Sequence, residues 1–181
     1  MHRLFAALPI PDLLAERLRP LRSDLHGTQW RRDDQYHVTL QFFGEVHRDI
    51  AEEIADQLDA VASSGFAITL SGVGWFGRRQ PRALYARLAE TPELTDLAAQ
   101  CRAIARRLRL SFGQDPFVPH ITLAYCHETP IDQVRSWSED YQILRSEPFW
   151  VDRFHLYESF MGGHDRKSRY QVQASYPLGQ I

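Results

Sequence analysis

The amino-acid sequence predicts an α+β protein with two lobes, formed by one structural unit that occurs twice around a central cleft. Two short segments resemble each other, the same order of helical and strand-like patterns follows each of them, and corresponding elements keep an equal spacing. We expect two antiparallel-rich sheets with helices on their outer faces, because each helix has one apolar face to bury. With 181 residues and 44% hydrophobic content, the chain suffices for a single domain over residues 1–181.

The two units begin at similar segments. Leu-Phe-Ala-Ala-Leu occupies residues 4–8, and Leu-Tyr-Ala-Arg-Leu occupies residues 84–88. The pseudo-repeats are therefore expected to extend over about residues 4–80 and 84–176. Nothing in the sequence suggests a linker between independent domains, so both units should belong to one domain.

Each unit contains two segments with apolar residues at helical spacing. In the first unit these are residues 11–25 and 50–61, and Pro20 is expected to kink or divide the earlier helix because proline lacks an amide hydrogen. In the second unit they are residues 92–110 and 131–141, the latter with the weaker pattern. The order of elements therefore agrees between the units.

Strands complete the pattern. A strand opens with His-Val-Thr-Leu at His37, and another opens with His-Ile-Thr-Leu at His120. Longer strand-like runs begin at Phe66 and Phe149, and the interval between these two phenylalanines equals the interval between the two histidines. A final strand is expected over residues 170–176. The equal offset is the main argument that the chain is duplicated.

Composition restricts the classes of function. The formal net charge is -2, so any contact with nucleic acid has to come from a local basic patch. The two cysteines, Cys101 and Cys126, belong to no Cys-x-x-Cys or Cys/His cluster and suit a reducing compartment. The N-terminal apolar run is too short and interrupted for a signal peptide or membrane span. We expect a soluble, cytoplasmic monomer without membrane association.

The paired His-x-Thr motifs are the candidate functional residues. Residues two apart in a strand share a face, so His37 and Thr39 point the same way, as do His120 and Thr122. One such pair on a strand is more often structural. Two pairs at equivalent places in a duplicated unit favour function, because they would converge on a common cleft.

Two imidazoles and two hydroxyls suit cleavage of a phosphodiester. A neutral imidazole can take a proton from water, and an imidazolium can protonate the departing oxygen. Threonine hydroxyls can donate to the non-bridging phosphate oxygens. The sequence has no His-x-His or His-Glu-x-x-His pattern, so we expect neither a catalytic metal nor a cofactor.

At these motifs the chain resembles the two-histidine (2H) phosphoesterase superfamily. Within it, the chain is most similar to the RNA 2′,3′-cyclic phosphodiesterases, historically called 2′-5′ RNA ligases. The resemblance covers essentially the whole chain. The segments that carry it are residues 3–7, 37–46, 81–85 and 117–124, and residues 156–159 and Tyr170 also match.

The resemblance implies a bilobed fold and metal-independent hydrolysis of RNA 2′,3′-cyclic phosphate ends to 2′-phosphomonoesters, with reversible 2′-5′ ligation as a side activity. It implies that His37 is the acid for the leaving 3′ oxygen and that His120 is the base for the attacking water. Thr39 and Thr122 would bind phosphate oxygens, and Phe42 would stack on a base. A core position for Phe42 is the alternative.

One position departs from the family pattern. The family often has an arginine two residues after the leucine of the second motif, where it helps to hold phosphate, and this chain has Tyr125 there. A phenol can donate one hydrogen bond but supplies no charge. Either Arg82 or an arginine from another loop would have to substitute.

Two other functions remain open at this point. A non-catalytic RNA-end binder would hold a terminal phosphate in the cleft without turnover. A cyclic phosphodiesterase could also act on ADP-ribose cyclic phosphate or on 2′-5′ oligonucleotides. Two exposed basic loops, residues 77–82 and 161–167, are further places where RNA could bind, and His164 lies in the second.

Overall fold

The computed structural model describes residues 1–160 and 168–179. Within these ranges it contains helices α1 Asp12–Leu18, α2 Arg48–Asp59, α3 Pro92–Arg107 and α4 Ile131–Tyr141. Its strands are β1 His2–Pro9, β2 Thr28–Trp30, β3 His37–Val46, β4 Phe66–Ile68, β5 Leu70–Phe76, β6 Ala83–Leu88, β7 His120–Cys126, β8 Phe149–Val151, β9 Arg153–Phe160 and β10 Arg169–Pro177. None of the described helices is both long and apolar enough to cross a membrane.

The main sheet has the strand order β10-β9-β1-β3-β7-β6-β5, with β2 added beside β7. The paired strands run antiparallel, so the predicted α+β class with antiparallel sheets is confirmed. The sequence predicts two sheets, whereas the structure joins them as two four-stranded halves of one eight-stranded sheet, which meet where β3 and β7 pair through Val38 and Ile121. This narrow junction leaves the two motif strands side by side.

The pairing between the halves has an approximate two-fold character. Val38 pairs with Ile121, and Ala67 pairs with Trp150 in the separate β4-β8 ribbon. The partners of both pairs are separated in sequence by the same interval as the two motif histidines. An axis that relates two equivalent units would produce this equality, which supports the prediction of two units. The units are interleaved, because β5 pairs with β6 and β9 pairs with β1.

The helices begin and end for local reasons. The first helix stops at Leu18 and continues as a 3-10 turn over Arg19–Leu21, because Pro20 has no amide hydrogen for an α-helical bond. Helix α3 begins after Thr91, whose hydroxyl accepts from the Leu94 amide at 3.3 Å. It ends at Arg107 and is therefore slightly shorter than the sequence predicts.

The predicted long strands are each divided. The run 66–76 breaks at Thr69 and the run 149–160 at Asp152, so each forms two strands. Strand β2 was not predicted, because three residues are too few to show an alternating pattern.

The core lies between the helices and the face of the sheet that bears the apolar residues of the motif strands. Val38, Leu40, Ile121 and Leu123 are all buried there, as their alternation with histidine and threonine predicts. Helix α3 packs on β3, α4 on β5, and α2 on β1 and β10. The opposite face of the sheet is left free to line a cleft.

Candidate active site

The two His-x-Thr pairs line one cleft of about 390 Å³. His37 and Thr39 stand on β3, and His120 and Thr122 stand on β7. All four side chains are partly exposed, whereas the residues that alternate with them are buried. The convergence predicted from the duplicated motifs is therefore present in the fold.

Irregularities in the strands decide which aromatic residues face the cleft. Strict alternation from Thr39 would turn Gln41 toward the cleft, but a register shift between Ala6 and Ala7 of β1 gives β3 one extra residue. Gln41 is consequently buried and Phe42 is 57% exposed at the cleft. The interpretation of Phe42 as a core residue is therefore wrong.

The second motif has the same irregularity. A register shift between Leu84 and Tyr85 of β6 gives β7 an extra residue, so Tyr125 emerges on the cleft face and is 40% exposed. Tyr125 follows His120 by five positions, as Phe42 follows His37. The cleft thus has one aromatic side chain beside each motif.

Backbone carbonyls fix the orientation of both imidazoles. The Nδ1 atom of His37 lies 2.8 Å from the carbonyl oxygen of Gln35, and Nδ1 of His120 lies 2.6 Å from that of Val118. A carbonyl can only accept, so each Nδ1 carries the hydrogen. In each neutral ring Nε2 is then the basic atom, free of the bond that orients the ring.

Aromatic rings surround each histidine. His37 lies between Phe5, at 4.9 Å between ring centroids, and the edge-on ring of Tyr170, at 5.1 Å. His120 contacts Phe76 at 4.9 Å and Tyr85 at 5.3 Å. These surroundings limit hydration and restrain both imidazoles.

The same burial disfavours the charged imidazolium. Desolvation is the main reason that the pKa of His37 falls to about 4, and the charges of Arg31 and His120 lower it further. Burial also lowers the pKa of His120. Both rings are therefore expected to be neutral near pH 7.

Arg31 is a cleft residue that the sequence did not single out. Its backbone amide donates to the carbonyl of Leu123 at 2.8 Å, so it lies beside the second motif, and the residue is only 8% exposed. Its guanidinium donates to the Tyr170 hydroxyl at 2.7 Å and lies 5.3 Å from the centre of the Tyr125 ring. In the described ranges no carboxylate forms a salt bridge with it.

The neighbouring arginines show why Arg31 is distinctive. Arg32 pairs with Asp34, and Arg19 and Arg22 pair with Asp33, all on the surface. Arg31 instead brings a positive charge into the cleft, with no salt-bridge partner among the described residues. The sequence gives no signal for this role, because the three-residue strand before Arg31 shows no alternating pattern and the chain has many arginines.

The remaining predicted residues lie outside the cleft or outside the described residues. Arg82 lies in the exposed loop between β5 and β6 and borders a neighbouring groove, whereas Arg3 lines the cleft itself. The loop 161–167 with His164 lies outside the described residues. Among the described residues there is no group of three or more His, Cys, Asp or Glu side chains placed to hold a metal ion.

The lowered pKa of His37 predicts a pH-dependent stability. The unfolded chain takes up a proton near pH 6.5 whereas the folded chain resists it until about pH 4, so stability is retained above pH 6.5 and lost as the pH falls toward 4. His37→Asn should reduce this loss by up to about 1.4 kcal/mol per pH unit. Urea unfolding between pH 4 and 7 measures how the free energy of unfolding depends on pH in each protein. His26→Asn, at an exposed histidine, should retain the wild-type dependence, and an equal slope in His37→Asn would contradict the lowered pKa.

Comparison with known proteins gives consistent matches. The family model described as the 2′-5′ RNA ligase superfamily matches residues 10–160. The RNA 2′,3′-cyclic phosphodiesterase of Geobacillus stearothermophilus is 27% identical over 96% of this chain and 56% of its own length, so this chain spans little more than half of that relative. The RNA 2′,3′-cyclic phosphodiesterase of Thermotoga maritima is 32% identical over 74% of this chain and 71% of its own. The crystal structure of Escherichia coli LigT complexed with 3′-AMP has a TM-score of 0.81 at 25% identity and covers 99% of both chains.

Proposed function

The chain belongs to the 2′-5′ RNA ligase superfamily, and we propose that it opens RNA 2′,3′-cyclic phosphates to 2′-phosphomonoesters by acid–base catalysis with His37 and His120. The observation that carries the proposal is the pair of oriented imidazoles, each with its Nδ1 bound to a carbonyl, in one cleft. Relatives named as RNA 2′,3′-cyclic phosphodiesterases and the LigT complex with a ribonucleotide support the substrate class.

The proposed reaction needs one proton acceptor and one proton donor. Nε2 of His120 takes a proton from water, the water oxygen bonds to phosphorus, and the bond from phosphorus to the 3′ oxygen breaks. Nε2–H of His37 protonates that oxygen, and the phosphate remains on the 2′ oxygen. Thr39 and Thr122 donate hydrogen bonds to the non-bridging oxygens, where charge accumulates.

The substrate itself makes His37 an acid. In the empty cleft, burial and the charge of Arg31 keep the ring neutral. A phosphodiester anion placed between Arg31 and His37 offsets that charge and favours the imidazolium. The imidazolium so formed can donate its Nε2 proton to the departing ribose oxygen.

Arg31 also supplies the positive charge that Tyr125 cannot. It enters the cleft from the end of β2, and its guanidinium lies beside the Tyr125 ring. Its contacts with Tyr125 and Tyr170 hold the planar group in place before the substrate arrives. We assign to it the phosphate contact that the family usually obtains from an arginine at the position of Tyr125.

Phe42 is proposed to stack on the terminal base. Phe42→Ala should raise the KM for an RNA substrate by about 5- to 100-fold, because a stacked base contributes about 1–3 kcal/mol. The melting temperature should change little, because the side chain is 57% exposed. Trp150→Ala, which removes an aromatic side chain 60% exposed on β8, is the control. Steady-state kinetics with an unchanged KM in Phe42→Ala would exclude base stacking.

A product assay tests the proposed function. RNA that ends in a 2′,3′-cyclic phosphate is incubated with the protein in excess EDTA, and the product is identified by chromatography and mass. Turnover to a 2′-phosphate is expected, because both proton carriers are side chains. Binding without turnover would indicate an RNA-end binder, a 3′-phosphate would reverse the substrate orientation, and activity that requires a divalent ion would refute the mechanism.

A further inference from the structure

Tyr170 lies in the cleft but has no part in the proposed proton transfers. It stands on the edge strand β10, which β9 and β1 separate from the first motif strand β3. Its ring nevertheless lies edge-on to His37, with 5.1 Å between the ring centroids, and edge-on to Phe5, also at 5.1 Å. The side chain is partly exposed and lines the cleft together with both His-x-Thr pairs. Tyr170 is therefore placed beside the proposed acid, where a substrate would meet it.

The Tyr170 hydroxyl uses only part of its hydrogen-bonding capacity within the protein. Its oxygen accepts a hydrogen bond from Nη2 of Arg31 at 2.7 Å. A phenol can also donate its own hydrogen, and among the described residues the Tyr170 hydroxyl makes no second hydrogen bond. The O–H group is therefore a donor available to a molecule that enters the cleft.

The surroundings of this phenol favour an anionic acceptor. Burial raises the pKa of Tyr170 above its ordinary value, so the hydroxyl keeps its proton near pH 7 and acts as a donor. The hydrogen bond from the charged guanidinium of Arg31 polarises the O–H group and makes it a stronger donor. Hydrogen bonds from a hydroxyl to an ionised oxygen are among the short and strong ones in proteins. A phosphate oxygen is therefore the acceptor that suits Tyr170 best.

The position of Arg31 indicates which oxygen Tyr170 would bind. The Tyr170 hydroxyl and Nη2 of Arg31 are 2.7 Å apart, so an oxygen that contacts this guanidinium lies within reach of the phenol as well. We propose that Tyr170 is a further catalytic residue, which donates a hydrogen bond to the same non-bridging phosphate oxygen that Arg31 binds. This inference rests on the proposed function and adds a third hydroxyl donor to Thr39 and Thr122.

The proposed contact has two consequences for the reaction. The non-bridging oxygens gain negative charge as water adds to phosphorus, so a donor that is already in place binds the transition state more strongly than the substrate. Arg31 and Tyr170 lie together on one side of the cleft, so they would bind one of the two non-bridging oxygens and not the other. The role of Tyr170 should therefore depend on the stereochemistry at phosphorus.

Removal of the hydroxyl alone provides the first test. Tyr170→Phe keeps the ring that contacts His37 and Phe5, and it should lower kcat/KM for an RNA 2′,3′-cyclic phosphate by about 10- to 100-fold, the usual effect of a hydrogen bond to a charged group. Tyr176→Phe is the matched control, because Tyr176 lies on the same strand and donates to the carbonyl of Ala55 at 3.1 Å, outside the cleft. It should keep the wild-type kcat/KM. An unchanged kcat/KM in a folded Tyr170→Phe protein would overturn the inference and leave the proposed function standing.

Phosphorothioate substrates test which atom Tyr170 contacts. Each of the two stereoisomers of a cyclic phosphorothioate carries sulfur in place of one non-bridging oxygen, and sulfur is the weaker hydrogen-bond acceptor. The loss in Tyr170→Phe, relative to the wild type on the same substrate, should shrink to less than about threefold on one isomer and remain about 10- to 100-fold on the other. Equal losses on both isomers would contradict a contact with one oxygen and overturn the inference.

A double-mutant cycle distinguishes direct contact from an effect through Arg31. If Tyr170 served only to hold the guanidinium, Tyr170→Phe would change nothing in a protein that already carries Arg31→Met. Direct contact predicts that Tyr170→Phe still lowers kcat/KM at least about threefold in that background. The absence of any further loss there would assign Tyr170 to the support of Arg31 and overturn the contact with phosphate. Absence of hydrolysis in the wild type would refute the proposed function itself.

Discussion

His120→Ala and His37→Ala should each lower turnover of a 2′,3′-cyclic phosphate by about 10²–10⁴-fold, the usual contribution of a general base or acid. Each substitution removes the Nε2 atom that the carbonyl of Val118 or Gln35 orients toward the cleft. Substrate binding should be weakened far less, because Arg31, Thr39 and Thr122 remain. Single-turnover kinetics with saturating substrate separate the two effects.

The histidine variants need controls for folding. His26→Ala replaces an exposed histidine outside the cleft and should retain wild-type turnover. Circular dichroism and thermal unfolding show whether the cleft variants keep the fold. Full activity in a folded His37→Ala or His120→Ala protein would exclude that residue from proton transfer.

Arg31→Met should lower kcat/KM by about 10²–10³-fold, the usual loss when a preorganised donor to a developing charge is removed. Methionine keeps much of the apolar stem of arginine, so the packing between β2 and β7 should persist. The neighbouring variant Arg32→Met is the matched control, because Arg32 is exposed and paired with Asp34. It should retain wild-type kinetics.

A second measurement distinguishes an electrostatic role of Arg31 from a structural one. The charge of Arg31 contributes to the lowered pKa of His37, so Arg31→Met should raise that pKa and Arg32→Met should not. An NMR titration of the imidazole signals measures the pKa of His37 in each variant. An unchanged pKa together with unchanged kcat/KM would show that Arg31 does not act in the cleft.

The sequence predicted the central feature of the site because that feature is local and repeated. Alternation along a strand places His37 with Thr39 and His120 with Thr122, and the equal offset between corresponding elements indicates that the two strands are equivalent. Two such strands in one core bring their exposed faces together. The position of the two His-x-Thr pairs in one cleft could therefore be predicted without knowledge of the loops.

Alternation failed where the strands are irregular. The register shifts opposite β3 and β7 turn Phe42 and Tyr125 to the cleft, although strict alternation assigns both to the core. Bulges arise from how a strand pairs with its neighbours, and no residue within either motif signals them. The resemblance to a family was needed to assign Phe42 to the substrate.

Arg31 was missed because its role depends on tertiary structure. Nothing in the sequence distinguishes it from the adjacent Arg32, and both precede two aspartates. Only the pairing of β2 with β7 places Arg31 beside Tyr125 and Tyr170, where its charge lowers the pKa of His37. The sequence also could not predict that β5 pairs with β6 and β9 with β1, because similarity between two segments does not specify their partners in a sheet.

The division of labour between the two histidines is the central claim, and the dependence on the leaving group tests it most directly. A nitrophenyl phosphodiester releases nitrophenolate without an acid, so it needs only the base, provided that its leaving group lies on the side of His37. The ratio of variant to wild-type rates is measured on this substrate and on the cyclic phosphate. We expect His37→Ala to recover most of its activity on the nitrophenyl substrate and His120→Ala to remain about 10²–10⁴-fold impaired. Recovery of His120→Ala with continued loss in His37→Ala would contradict the assigned roles.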